Sequence, residues 1–184
     1  MPEDNTYGSH YFDLDKKQKL NLLMDEYGNS IIRLAYTYVR SKPVAEDIAQ
    51  DVFLKCYEKI DEFRGDSSYK TWLYRITVNK CKDHLKSWSF RNLISTDLIG
   101  SIQKLTNHSA DEEFFIREEN RIISEKVLSL PLLYREIIIL YYYEHLSIEE
   151  IASLLAINAN TIKSRLLRGK KMLKKKLGGG EIFG

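Results

Sequence analysis

The chain has 184 residues, 43% of them hydrophobic and 29% charged, with a formal net charge of +2; this is the profile of a soluble protein with one or two small cores, not of a fibrous or disordered chain. No apolar run approaches membrane-spanning length and no basic segment followed by an apolar one opens the chain, so a cytoplasmic location is expected. Cys56 and Cys81 stand 25 residues apart, and except for His84 near Cys81 no second cysteine or histidine lies close to either, which argues against a zinc site or a disulfide framework and for two small buried thiols.

Between Asp66 and Arg168 the only glycine is Gly100 and the only proline is Pro131, so helices are expected throughout. The first runs through Leu20, Leu23, Met24, Tyr27, Ile31, Leu34, Ala35, Tyr38 and Val39, spaced by threes and fours, with Gly28 as a point where it can divide. A second starts at Pro43, a favoured first helical residue, with Glu46 and Asp47 where the helix dipole welcomes acids. Its core stripe is Ala45, Ile48, Ala49, Val52, Phe53, Cys56, Tyr57 and Ile60. On the opposite face Leu54 stands among Asp47, Gln50, Asp51 and Glu58, which reads as a docking face for a basic protein partner with an apolar anchor.

The polar turn from Phe63 to Ser68 can cap a third helix, about Tyr69 to Trp88. Trp72, Leu73 and Ile76 are assigned to the core. Tyr74, Arg75, Asn79, Lys80 and Asp83 fall off that stripe. Rings beside cations and an amide suit single-stranded nucleic acid, whose bases stack while cations track the backbone, and Phe63 can join that surface. Polar residues from Ser89 to Ser109 then break the pattern. The expected architecture is therefore all-α, with two small helical domains (11–92 and 112–178) joined by a linker (93–111).

In the second half, Ser109 and Glu112 fit a capping box before Phe114, Phe115, Ile122, Ile123, Val127 and Leu128. Pro131 restarts the chain. The run from Glu136 to Tyr143 is rich in β-formers, yet it is assigned to helix because no neighbouring segment offers a partner strand. Ser147 and Glu150 form another capping box, opening a short helix through Ala152, Leu154 and Leu155. After a turn at Ala156, Ile157 and Asn158 comes a helix from about Asn158 to Leu177.

This is the pattern of a helix-turn-helix, with Ile148, Ile151, Leu155, Ile157, Ile162, Leu166 and Leu173 as its shared core. From Ile151 to Leu177 there are eight basic residues and no acidic one, so this end suits a polyanion while the remainder is net acidic. Asn160, Thr161, Lys163 and Ser164 can reach base edges in a major groove, and Arg165, Arg168 and Lys171 phosphates.

Taken together, the segments Ala45–Phe53, Phe63–Asp66 and Thr71–Asn79 resemble regions 2.2 to 2.4 of the bacterial extracytoplasmic-function sigma factors. Leu130–Pro131, Tyr134–Glu136, Leu146–Ala152 and Thr161–Gly169 are similar to region 4 of the same family. The resemblance implies two helical domains and a protein that directs core RNA polymerase to promoters. It implies that Asp47, Gln50, Asp51 and Leu54 bind core polymerase. Phe63, Arg64, Ser67, Ser68 and Asn79, together with Tyr74, Arg75 and Lys80, would open and read the −10 element. Asn160, Thr161, Lys163, Ser164, Arg165, Arg168 and Lys171 would meet the −35 element. A cognate anti-sigma factor, often membrane-anchored, is a further implied partner.

Ala156 stands where a glycine is common, and Asn158-Ala159-Asn160 replaces a proline-valine-glycine type of sequence, with Asn able to supply left-handed backbone. The alternative reading is a helix-turn-helix regulator that does not bind polymerase stably. An enzyme is disfavoured, since His10, His84, His108 and His145 are scattered and no phosphate-binding glycine loop occurs. No catalytic residue, cofactor, metal or small-molecule substrate is therefore assigned.

Overall fold

The structure is a computed structural model that describes residues 14–94 and 121–178. The Ser109–Glu112 capping box, Phe114, Phe115 and most of the expected linker lie outside these residues. Helix α1 (Lys16–Val39) is opened by Asp15, whose carboxylate accepts from the Gln18 backbone N–H at 2.7 Å, while the Gln18 side chain accepts from the Asp15 N–H at 3.1 Å. This reciprocal cap satisfies two donors that would otherwise lack partners. The helix passes Gly28 unbroken, because burial of Leu23, Ile31, Leu34 and Ala35 on both sides outweighs one glycine. Met24, expected inside, is 44% exposed.

Arg40 ends α1 in left-handed backbone (φ 53°), its N–H returning to the Tyr36 carbonyl. Helix α2 (Lys42–Lys59) starts with Pro43 in its first turn, where the missing N–H costs nothing. A single 3₁₀ turn (Ile60–Glu62) and an extended Phe63 lead to α3 (Tyr69–Ile94). Ser68 caps it, accepting from the Thr71 N–H at 3.1 Å. Helix α3 continues through Ser89 and Asn92, past the expected end at Trp88. Leu23, Ile31, Leu34, Val52, Leu73, Val78 and the thiols of Cys56 and Cys81 fill the core between these three helices.

The C-terminal domain comprises α4 (Arg121–Leu128), α5 (Leu132–Ile138), α6 (Ile148–Leu155) and α7 (Ala159–Lys176). The β-rich run is helical as expected, but α5 widens into a π turn over Ile139–Tyr143, closed by the Glu144 N–H on the Ile139 carbonyl. Such widening turns side chains out of the regular stripe. Here it is followed by Glu144, which is buried, and by His145 in left-handed backbone (φ 54°).

Helix α6 carries the expected Ser147/Glu150 box. The turn after it departs from expectation: Ala156, not an asparagine, takes the left-handed conformation (φ 56°), and Asn158 caps α7 by accepting from the Asn160 N–H at 2.8 Å. Gly169 lets α7 lie close on α5, since a Cβ there would stand 3.0 Å from the Ile138 Cδ1. The two domains touch, α1 against α5 and α3 against α6.

Candidate nucleic-acid interface

Helix α7 separates its residues cleanly. Ile162, Leu166, Gly169 and Leu173 are buried, while Asn160, Lys163, Ser164, Arg168, Lys171 and Lys174 are exposed along the opposite side. Thr161 and Arg165 are half-buried at the margins. The capped α6 and the tight turn hold this cationic stripe rigidly outward, as entry into a groove requires. Leu167, overlooked in the sequence reading, is 70% exposed in the middle of it. Its position three residues after Ser164 and four after Lys163 was the available signal, and an exposed leucine there can meet a thymine methyl.

On α2, Asp47, Gln50, Asp51 and Leu54 share one exposed face, and Leu54 is 65% exposed. Tyr57, expected in the core, joins that face at 44% exposure, with the Lys16 ammonium 4.8 Å from its ring centre. Asp51 pairs with Lys80 of α3 at 3.1 Å. This exposed pair adds little stability, but it ties a residue expected to face DNA to the acidic face.

Beyond the 3₁₀ turn, Phe63 stacks on Tyr69 with ring centres 4.3 Å apart and leans on Trp72 at 5.1 Å. The three half-buried rings form a small aromatic platform beside exposed Arg64 and Ser68 and half-buried Ser67. Trp72, assigned wholly to the core by its spacing, is thus partly available, and Tyr69 is a platform member that the periodicity alone did not single out. Asn79 is exposed.

Tyr74 corrects the expectation of an open surface along α3. It is completely buried, and its phenol donates to the Glu144 carboxylate of the other domain. Lys70 donates to the Glu144 carbonyl at 2.6 Å, and Arg75 donates to the Ser153 hydroxyl on α6 at 3.0 Å. A second bridge runs from the Tyr38 phenol to the buried Glu136 carboxylate at 2.7 Å. Tyr74 looked solvent-facing because it falls off the stripe of Trp72, Leu73 and Ile76; its partner in the other domain lies some seventy residues further on.

Burial first, and then the facing Glu136 or Glu144 carboxylate, pushes the Tyr38 and Tyr74 phenols well above the usual tyrosine range. Both keep their protons and donate. Arg135, buried with its guanidinium donating to the Leu128 carbonyl at 2.8 Å, is lowered to about 10 by burial and then by the nearby Arg40. Burial raises the Cys56 and Cys81 thiols to about 12, so both stay protonated and inert at neutral pH, as the reading of buried thiols requires.

Comparison with known proteins assigns both halves. The sigma-70 region 2 family model matches residues 23–90 and the sigma-70 region 4 model residues 120–173. The chain is 34% identical over 168 residues to the ECF RNA polymerase sigma-E factor of Escherichia coli K12, covering 88% of this chain and 87% of that one. It is 32% identical over 163 residues to the ECF RNA polymerase sigma factor SigW of Bacillus subtilis, covering 84% and 87%.

Among solved structures, the sigma factor RpoE in complex with the anti-sigma factor NepR from Bartonella quintana superposes with a TM-score of 0.67 at 25% identity, over 88% of this chain and 95% of that one. CnrH in complex with the cytosolic domain of CnrY shares the fold at 19% identity, with a TM-score of 0.60 over 88% of each chain. Two sigma-region matches in the right order, and relatives over 30% identical along most of the length, place this chain in the extracytoplasmic-function family of RNA polymerase sigma factors.

Proposed function

We propose that residues 11–92 dock on core RNA polymerase and open the −10 element, that residues 112–178 read the −35 element, and that residues 93–111 link the two. The observation that carries this reading is the sorting of α7, with Ile162, Leu166 and Leu173 inward and a largely cationic stripe, broken by Leu167, outward. Asn160, Thr161, Lys163 and Ser164, joined by Leu167, take base edges in the major groove. Arg165, Arg168 and Lys171 take phosphates and give the salt-dependent part of the affinity.

Asp47, Gln50, Asp51 and Leu54 offer a basic partner surface two carboxylates and an apolar anchor. At the −10 element, the Phe63 platform captures an extruded base, with Arg64, Ser67, Ser68 and Asn79 around it, and Arg75 and Lys80 follow the strand. Strand opening is driven by binding, so no covalent chemistry and no catalytic residue are needed. The chain acts in the cytoplasm. The solved relative bound to an anti-sigma factor supports an inhibitory partner of that kind here too.

The test is pull-down of purified core polymerase by the full chain, with Asp51→Lys beside it. The wild type retains core polymerase and the variant loses at least tenfold in affinity. Retention by neither would return the chain to the reading of a promoter-binding regulator, against which the region 2 match now weighs.

A further inference from the structure

We propose that Tyr57 is a second apolar anchor on the face that docks on core RNA polymerase, and that Lys16 is its positioning residue, fixing the ring before the partner arrives. This rests on the docking reading above and extends it to Tyr57, which helical spacing assigned to the core, and to a residue of another helix.

Leu54 and Tyr57 stand three residues apart on α2, so they share a face, and both are exposed. Around them lie the exposed Asp47, Gln50, Asp51 and Glu58. An apolar centre with a largely acidic rim is the layout of a protein interface, and its charge fits a basic partner surface.

A tyrosine has two side-chain torsions to fix on docking, and freezing them at the moment of contact costs affinity. Here the ring is held beforehand. The reciprocal Asp15/Gln18 cap pins the first turn of α1, and Lys16, the first residue of that helix, extends from this pinned backbone. Its ammonium lies 4.8 Å from the Tyr57 ring centre and 3.1 Å from the carboxylate of Asp61, four residues beyond Tyr57. The electron-rich ring face attracts the cation while the carboxylate pairs with it. The lysine side chain is only 31% exposed, which marks it as seated against these two partners.

Charge alone argues for a different role. A cation on a face that meets a basic partner repels it, so by Coulomb's law its removal should strengthen docking. Lys16 belongs there only if the ring it steadies contributes more than its charge repels. The two effects have opposite signs.

Competition between unlabelled variants and a fluorescently labelled wild-type chain for purified core polymerase, at physiological ionic strength, tests this. Neither side chain is buried, so neither substitution opens the core. Tyr57→Ala is expected to lose about tenfold or more in affinity. Lys16→Met, which keeps the stem and drops the charge, loses about three- to tenfold, the worth of one side chain fixed in advance. Lys16→Arg, whose guanidinium can stack on the ring and pair with Asp61, restores most of it. In the Tyr57→Ala background Lys16→Met does no further harm, since no ring is left to position.

A lysine that merely steadied the fold would weaken binding equally in both backgrounds. Lys16→Met binding as well as or better than wild type, Tyr57→Ala binding like wild type, or additive losses in the double variant would each overturn the proposal. A wild-type chain with no affinity for core polymerase sinks the docking reading along with it, whereas binding that Asp51→Lys abolishes and these variants leave intact sinks the Lys16–Tyr57 anchor alone.

Discussion

The two surfaces assigned to DNA differ in one respect: α7 presents its reading side to solvent, whereas α3 presents much of its own to another domain. On α7 the determinants lie within its own domain, and most of them are local. The Ser147/Glu150 cap, the tight turn at Ala156 and the buried Ile162, Leu166 and Leu173 all lie within thirty residues, so the exposed stripe is fixed once the helix-turn-helix folds. On α3, by contrast, Tyr74 is hidden through its contact with Glu144, seventy residues away. Helical spacing therefore reports the face on which an aromatic lies, but not whether another domain lies on that face.

The contrast breaks most visibly under substitution of the open surface. Lys163→Ala with Arg168→Ala is expected to lower −35 duplex affinity by about 100-fold, since each contact is worth about 1–3 kcal/mol, and to leave core binding intact. Fluorescence anisotropy on a −35 duplex, with a salt titration, checks both the loss and a shallower salt dependence. Next in size, Phe63→Ala removes the centre of the aromatic platform and costs about 1–3 kcal/mol of −10 strand capture. Permanganate reactivity of the melted region should fall by tenfold or more while −35 protection persists; an unchanged open complex would detach Phe63 from strand capture.

A third outcome sharpens the contrast at the joint. An unfolded tyrosine loses its proton near about pH 10, whereas Tyr38 and Tyr74 hold theirs to higher pH when folded. Above that point the unfolded chain binds fewer protons than the folded one, so this stabilisation is complete below about pH 10 and is lost progressively above it. Cys56 and Cys81, raised to about 12, act with the same sign from about their ordinary value of 9 upward. Thermal melts between pH 8 and 11 should therefore fall, and Tyr38→Phe should fall less steeply; equal slopes would remove Tyr38 from the account. The smallest effect belongs to the turn that supports α7. Ala156→Gly relieves left-handed backbone and should stabilise by about 1 kcal/mol in chemical denaturation.

Much of this was legible from residues alone, for reasons that can be named. Helical periodicity placed α1, α2 and α7, and the Ser147/Glu150 spacing announced the start of α6 because capping is decided over three residues. The Glu136–Tyr143 run defied its β-propensity for the reason anticipated: no strand among the described residues offers it a ladder, and its second half forms a π turn. Tyr57 and Met24 fell on the wrong side of their helices because each lies at the edge of an apolar stripe, where spacing does not decide burial. Left-handed geometry was sought in an asparagine and found in Ala156, whose place is set by where α6 must stop. Glu136 and Glu144, two acids in apolar surroundings, gave no local sign that they would meet Tyr38 and Tyr74, since those meetings depend on the docking of one domain on the other.

The most direct test of the central claim is run-off transcription with purified core polymerase and this chain on a pool of promoter fragments, with the Lys163→Ala, Arg168→Ala double variant in parallel. Discrete transcripts that require the chain and disappear with the double variant are predicted. No transcripts above core polymerase alone, or transcripts unaffected by losing both cations, would contradict it.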